Sequence, residues 1–332
     1  MPEISVIVVT WNGRAHLERC LSAVARQDGI DAETILVDNG SSDGTAAFVR
    51  DRFPWVHLVE LDANHGFAGG NNAGARAATG RYLAFLNNDT DADPGWLRAL
   101  RDGLDEDARV ALTTSRIVYM DNPSVLDSAG DCMTRAGGAY KRFHGAPAQL
   151  ASVSCEVFGA CGAAFLMPRT LFEALGGFDE DFFASHEDVD LSYRARLLGY
   201  RCRYVAEAVV QHRGSATLGR VSEWSVFQGQ RNLEWVYLKD TPGVILVRTL
   251  PGHLVYTLAA AAHFARLGLL GTFLRAKLSA LRGVPRMLRK RRAVQASRTV
   301  EAAAIWRVLE RGWLRVKLRE KRFDTSIREA GA

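Results

Sequence analysis

The chain has 332 residues, of which 48% are hydrophobic and 24% charged, and a formal net charge of +5. That length and apolar content exclude a disordered or fibrous chain and suffice for one large domain with an appendage, or for two domains. Five cysteines, Cys20, Cys132, Cys155, Cys161 and Cys202, are odd in number and lack CxxC spacing, which excludes a disulfide framework and a zinc knuckle and fits reduced thiols in a cytoplasmic protein.

The first residues run into an apolar strand with no basic leader and no small-residue cleavage site, so no signal peptide is expected. Ile4–Thr10 is β-branched and apolar throughout, as expected of a strand covered on both faces, and it ends in Trp11-Asn12-Gly13 before a helical pattern at Leu17, Leu21 and Val24. The next apolar run, residues 34–37, ends in Asp38-Asn39-Gly40-Ser41-Ser42-Asp43-Gly44-Thr45, and a helix follows. A third short strand over residues 56–61 leads to Asn64-His65-Gly66-Phe67-Ala68-Gly69-Gly70-Asn71-Asn72-Ala73-Gly74 and an Ala-rich helix closed by Gly80. The fourth strand, Tyr82-Leu83-Ala84-Phe85-Leu86, stops in Asn87-Asn88-Asp89-Thr90-Asp91-Ala92-Asp93.

Repeated strand, polar loop and helix units predict a parallel sheet with helices on both faces, so that every loop at one sheet edge serves a common crevice. Oxygen-rich side chains at that edge suit a hard divalent cation that also touches phosphate; a solvated turn is the plainer use of the same residues. The glycine stretch matches neither GxGxxG nor GxxxxGK[ST], and its glycines serve either phosphate approach or tight helix-strand packing. Asp38 serves either as a partner for a base or ribose, or as a helix N-cap.

Taken together, residues 5–12, the run from Asp38 to Thr45, Asn64-His65-Gly66-Phe67 with Gly70 to Gly74, and Asn87-Asn88-Asp89-Thr90 resemble family 2 glycosyltransferases, in particular the bacterial rhamnosyltransferase-like branch. The resemblance implies an α/β, nucleotide-sugar-binding GT-A fold. It implies that Thr10, Asn12, Asp38, Asn39, Ser41, Asn64, Gly66, Phe67, Asn71 and Asn88 face the donor, and that Asn87-Asn88-Asp89 is a variant of the metal-binding DxD motif. Amides at two of its three positions leave Asp89 as the expected ligand of Mg2+ or Mn2+, with Asp91 as a second candidate.

Further along, Phe158 to Met167 is a small-residue turn entering a strand, with room for a sugar or for close backbone approach. From Ser185, read as an N-cap, Glu187, Asp188 and Asp190 occupy the first turn of a helix; complementing the helix dipole is their plainer role. His186-Glu187 lacks the second histidine of HExxH, so a metalloprotease site is excluded. The resemblance points instead to the family's ED motif, whose carboxylate deprotonates the acceptor hydroxyl, and makes Asp188 the base with Glu187 as its rival. Likewise it raises His212, otherwise a structural histidine, to a partner of the metal or the diphosphate, and gives Arg231 a diphosphate role.

After residue 240 the chain changes character. The stretch over residues 244–274 is rich in Leu, Ala and Val but interrupted by Arg248, Pro251, His253, His263 and Arg266, so an interfacial helix is expected rather than a transmembrane span. Residues 275–322 are strongly basic with interleaved Leu, Val and Trp, a pattern for amphipathic helices on an anionic membrane, or for a solvated face or homo-oligomer contact. The sequence thus divides into a GT-A domain over 1–240 and a basic helical extension over 241–332. It predicts an inverting, metal-dependent transferase that takes a nucleoside-diphosphate sugar, such as a rhamnosyl donor, to a glycan or polyprenyl-linked acceptor in cell-surface polysaccharide synthesis, located in the cytoplasm or on the inner face of the membrane. The alternatives are a sugar-phosphate nucleotidyltransferase, which lacks its glycine-rich signature here, and a nucleic-acid-binding protein, which leaves the polar strand ends unexplained, so no nucleic acid is expected.

Overall fold

Four apolar runs near the N-terminus become adjacent parallel strands: β1 (Ile4–Thr10), β2 (Ala32–Asp38), β3 (His57–Glu60) and β4 (Tyr82–Asn87), in the order β4-β1-β2-β3. Helices α1 (Arg14–Ala25), α2 (Thr45–Arg52) and α3 (Gly66–Ala77) connect them. Period-two alternation sends Ile7, Val37, Leu83 and Phe85 to one core and Ile4, Val6, Val8, Leu36 and Leu86 to the other, so each strand is apolar on both faces. The computed structural model describes residues 1–105, 107–214, 222–316 and 318; the end of the expected basic tail, apart from Leu318, lies outside the described residues.

The remaining elements are β5 (Thr90–Ala92), α4 (Trp96–Asp105), β6 (Val110–Tyr119), β7 (Leu126–Ser128), β8 (Asp131–Met133), β9 (Ala139–Lys141), β10 (Cys155–Val157), β11 (Ala164–Pro168), α5 (Arg169–Ala174), α6 (Glu187–Leu197), β12 (Arg201–His212), α7 (Glu223–Asp240), α8 (Gly243–Arg266), α9 (Leu270–Ala296) and α10 (Ala302–Val308). The main sheet runs β10-β12-β6-β11-β4-β1-β2-β3. It is mixed, not wholly parallel as the repeated units predicted. β11 lies antiparallel between β4 and β6 because the loop before it sits at the carboxyl end of β4, where Asn87 N donates to Ala163 O at 2.9 Å. A strand leaving that edge has to run backwards.

Two local expectations change as well. The glycine stretch is helical from Gly66 onward, and its glycines serve packing: a Cβ at Gly70 would lie 2.6 Å from Val9 Cγ1, and one at Gly74 would lie 2.4 Å from Ile7 Cγ2. The N-cap of α6 is His186, not Ser185, and no side chain caps it. Ser185 and His186 both take positive φ, 76° and 70°. Asn232 on α7 holds this turn, donating from Nδ2 to the carbonyls of Phe182, Ala184 and Ser185 at 2.8, 2.9 and 2.7 Å. Strained backbone of this kind persists only where surrounding contacts fix it.

A third core, with Phe182, Val189, Tyr193, Trp235, Ile245, Ala280, Met287 and Ile305, joins α6 and α7 to α8, α9 and α10. Phe182 and Tyr193 are thereby core residues. Beneath them is a buried charge cluster. Asp190 accepts from Arg194 Nε at 2.8 Å and pairs with Lys239, which also reaches Asp179 at 2.7 Å, while Lys290 of α9 closes onto Asp179. Burial alone would raise the Asp179 carboxyl, but Lys239 and Lys290 outweigh it and hold it well below the usual carboxylate range.

Candidate active site

Register brings the polar strand ends together. Thr10 lies opposite Asp38, and Val9 opposite Asn87. Asp38 Oδ1 accepts from Ser41 N at 3.0 Å, and Ser41 Oγ accepts from Asn12 N at 2.8 Å. Asn39 donates from Nδ2 to Asn64 Oδ1 (3.1 Å) and Gly66 O (3.0 Å), and Asn64 Oδ1 accepts from Gly66 N at 2.8 Å. Asn88 donates to Thr10 Oγ1 at 2.8 Å, over Gly13, where a Cβ would lie 2.2 Å from the Asn88 amide nitrogen. One polar network therefore lines the ends of β1, β2 and β4. Phe67 packs edge-on against Phe178, and Asn71 turns its amide back to Phe67 O at 2.9 Å, within α3.

Antiparallel pairing of β5 with β12 sets Thr90 opposite His212, and Arg213 N donates to Asp89 O at 3.0 Å. The Asp89 carboxylate thereby meets His212 Nε2 at 3.1 Å, while His212 Nδ1 donates to Asp127 Oδ2 at 2.8 Å. Asp127 is buried and bonded through both oxygens to Lys141 Nζ at 2.9 Å. Burial disfavours charge on His212, but its bonds to Asp127 and Asp89 prevail and raise its pKa to about 9. Burial would likewise raise Asp89, and His212 instead holds it low.

This donor set fits a hard divalent cation. Asp89 offers an anionic oxygen, and Asp127, accepting from Nδ1–H, orients His212 so that Nε2 faces the same point, where a cation would take the place of the Nε2 proton. Asp89 and Thr90, with His16, Arg19 and Arg213, line a cleft of about 300 Å3. Asp91 is turned away from this pair toward Arg26, at 3.4 Å.

Asp188 lies in the first turn of α6 with both carboxylate oxygens fixed. Oδ2 accepts from Gly162 N at 2.7 Å and Oδ1 from Val189 N at 2.8 Å. A Cβ at residue 162 would lie 2.9 Å from Oδ2, so the small-residue turn does allow the close backbone approach expected of it. The carboxylates of Asp131 and Asp188 and the Cys161 thiol lie within 4.8 Å of one another. Burial, then the charge of Asp188, keeps the Asp131 carboxyl well above the usual range. Glu187 is buried with Oε2 unpartnered, and burial followed by Asp188 raises it likewise. Of the three acids in this turn, Asp190 is committed to Arg194 and Lys239, Glu187 is buried, and Asp188 is the half-buried one.

The two halves share one short backbone bridge. Ala163 O receives Asn87 N from the Asp89 loop, and the neighbouring Gly162 N holds Asp188. Arg231 lies on α7, donating to Phe182 O at 3.2 Å in the segment before α6. Sequence reasoning passed over Asp127, Asp131 and Lys141; their only local signal is a pair of aspartates flanking the small residues Ser128-Ala129-Gly130.

A family model described as Glycosyl transferase family 2 matches residues 5–176. The chain belongs to that family. This glycosyltransferase is 28% identical over 245 residues to N-acetylglucosaminyl-diphospho-decaprenol L-rhamnosyltransferase of Mycobacterium tuberculosis, covering 65% of this chain and 78% of that protein. It is 32% identical over 127 residues to Succinoglycan biosynthesis protein ExoO of Rhizobium meliloti, covering 38% of this chain but only 36% of that longer relative. Among solved structures it resembles the mannosyltransferase PcManGT from Pyrobaculum calidifontis in complex with GDP-Man and Mn2+, with TM-score 0.54 at 21% identity over 91% of this chain and 85% of that one. It also resembles GalNAc-T7 with UDP, GalNAc and Mn2+, with TM-score 0.58 at 18% identity over 72% and 48% of the two chains. The fold is GT-A with a helical C-terminal part, and the protein is a sugar-transferring enzyme. Family membership sets aside the nucleotidyltransferase and nucleic-acid-binding alternatives.

Proposed function

We propose that this glycosyltransferase moves a sugar from a nucleoside-diphosphate donor to a hydroxyl of a lipid-linked glycan, with inversion at the anomeric carbon. The carrying observation is the bridge at Gly162-Ala163, where adjacent backbone groups bond Asn87 of the Asp89 loop and the Asp188 carboxylate, which supports reading both as parts of one site. Thr10, Asn12, Asp38, Asn39, Ser41, Asn64, Gly66 and Asn88 form the donor's nucleoside and phosphate edge, with Phe67 and Asn71 behind them. Asp89 and His212 are the residues that would hold Mg2+ or Mn2+, with Asp91 outside the pair. When bound, such a cation neutralises the charge of the leaving nucleoside diphosphate.

Asp188 takes the proton of the acceptor hydroxyl as its oxygen attacks the anomeric carbon. The new C–O bond forms as the bond to the donor phosphate breaks, and that electron pair leaves with the nucleoside diphosphate. Backbone N–H groups fix the orientation of the base, a positioning effect that lowers the cost of reaching the reactive geometry. Glu187 is buried, whereas Asp188 is half-buried and adjoins the bridge, so Asp188 is the residue we assign as the base. The mycobacterial relative's name supports a rhamnosyl donor and an acceptor on a polyprenyl diphosphate. We read residues 1–240 as the transferase domain and 241–332 as an extension that rests on the inner face of the membrane.

Thermal-shift titration with UDP-, GDP- and dTDP-sugars, with and without Mn2+ or Mg2+, tests this reading. One nucleotide class should stabilise the wild type only with metal, and Asp89→Ala should abolish the effect. Failure of every nucleotide sugar to bind would contradict it.

A further inference from the structure

Residues 241–300 contain no Asp or Glu and eleven Lys or Arg, and they form α8 and α9. On α8, Val247, Leu250, Leu254 and Leu258 are exposed at helical spacing, while the opposite face is anchored by Ile245, Thr249 and His253, which are buried. The helix is long and apolar enough to cross a membrane by length and composition, but that anchored face lays it along the protein. Exposed Leu274, Leu278, Leu281 and Leu288 form a second apolar stripe on α9. Immediately beside it, at i, i+4 and i+7, run Arg282, Arg286 and Arg289.

Those three arginines and Arg231 of α7 line a groove of about 410 Å3 floored by Trp235. Trp235 is fixed by its indole N–H, which donates to Ala280 O at 3.1 Å, and by close helix contact at Gly283, where a Cβ would lie 2.7 Å from the ring. Arg231 and Arg286 lie 4.5 and 5.4 Å from that ring's centroid. Arg286 is paired with Asp181 at 2.8 Å, whereas Arg282 and Arg289 are exposed with no carboxylate at ion-pair distance among the described residues. Burial and then the charge of Arg286 depress the pKa of Arg231, a crowding of positive charge that an anion would relieve. The same face of α7 holds the turn before Asp188 through Asn232, so the groove adjoins the acceptor side of the crevice.

We propose that this arginine groove binds the diphosphate of the lipid-linked acceptor, with the leucine stripes of α8 and α9 seated in the bilayer that carries it. The assignment rests on the reading of the crevice as a glycosyltransferase site with a lipid-linked acceptor. Guanidinium forks suit phosphate oxygens. An apolar stripe bordered by arginines matches a bilayer surface, where leucines enter the acyl region and cations stay at the phosphates. Two copies of a face with this excess of arginine would repel one another, and nucleic acid would leave the leucine stripes in water.

The test uses the full chain and phosphatidylcholine vesicles doped with a polyprenyl diphosphate, with the uncharged polyprenol, or with phosphatidylglycerol to equal surface charge. Partition into diphosphate vesicles should exceed that into phosphatidylglycerol vesicles by about tenfold. The double variant R282A/R289A should lose that preference to within about twofold while melting at the wild-type temperature. Equal binding to both anionic vesicles, or a preference untouched in the variant, would overturn the proposal. Inorganic pyrophosphate binding as tightly as the vesicles would also overturn it, by assigning the groove to a soluble anion, and tighter binding to single-stranded DNA than to any vesicle would overturn it in favour of a polyanion. Donor binding is measured on the same samples: a diphosphate preference without nucleotide-sugar binding supports the groove and contradicts the transferase reading, and the converse contradicts the groove alone.

Discussion

Three carboxyls within one turn of α6 have three fates, decided by their surroundings. Asp190 is neutralised by Arg194 and Lys239, the Glu187 carboxyl is raised by burial and then by Asp188, and Asp188 is held by two backbone N–H groups beside Asp131, whose carboxyl is raised likewise. Asp188→Asn keeps the shape of the side chain and removes the proposed base, so turnover should fall by about 10²- to 10⁴-fold while donor binding persists. An equal loss of donor binding would show a structural role instead. Asp127 acts at one remove, by accepting from His212 Nδ1–H and so fixing the orientation of the ring. Asp127→Asn should weaken Mn2+ binding, measured by calorimetry with a nucleoside diphosphate present, by about 10- to 100-fold; unchanged affinity would remove His212 from the metal site.

At the scale of elements, α7 is the fastener. Its Glu234 accepts from His253 Nε2 of α8 at 2.8 Å and pairs with Lys277 of α9. Burial alone would raise the Glu234 carboxyl, but His253 and Lys277 prevail and lower it to about 2 from its ordinary 4.5. Because the folded value is the lower one, the carboxylate adds stability above about pH 4.5, and that stability is lost as pH falls toward 2. Glu234→Gln should therefore cost on the order of 2 kcal/mol in urea unfolding at pH 7, with the gap closing on acidification. A gap independent of pH would contradict the ion-pair account. In α3, helix propensity favours Gly74→Ala by about 1 kcal/mol, but the new methyl would press into Ile7, and overpacking costs about 1–3 kcal/mol. Net destabilisation is expected, read as a lower denaturation midpoint at unchanged slope.

The strands were legible because β-branched runs stop abruptly in Asn, Asp and Ser, and that pattern alone put Thr10, Asp38 and Asp89 at one edge. The reversal of β11 was not, since it depends on where a distant loop returns to the sheet. Ser185 reads as a cap from its residue type, but the turn is imposed from outside by Asn232. Asp127 and Asp131 lie in short strands with little local pattern, and their roles emerge only when β12 and α6 fold over them.

Across the whole molecule, a polar crevice at one sheet edge is backed by helices whose outer surface is apolar and cationic. On the proposed reading, the crevice takes a water-soluble donor and the cationic face a membrane-borne acceptor. The most direct test of the central claim is the stereochemistry of transfer, followed by NMR of the product formed from a nucleotide sugar and a polyprenyl-diphosphate glycan. The account predicts an anomeric configuration opposite to the donor's, formed by wild type and not by Asp188→Asn. A product retaining the donor's configuration, or full turnover by Asp188→Asn, would contradict it.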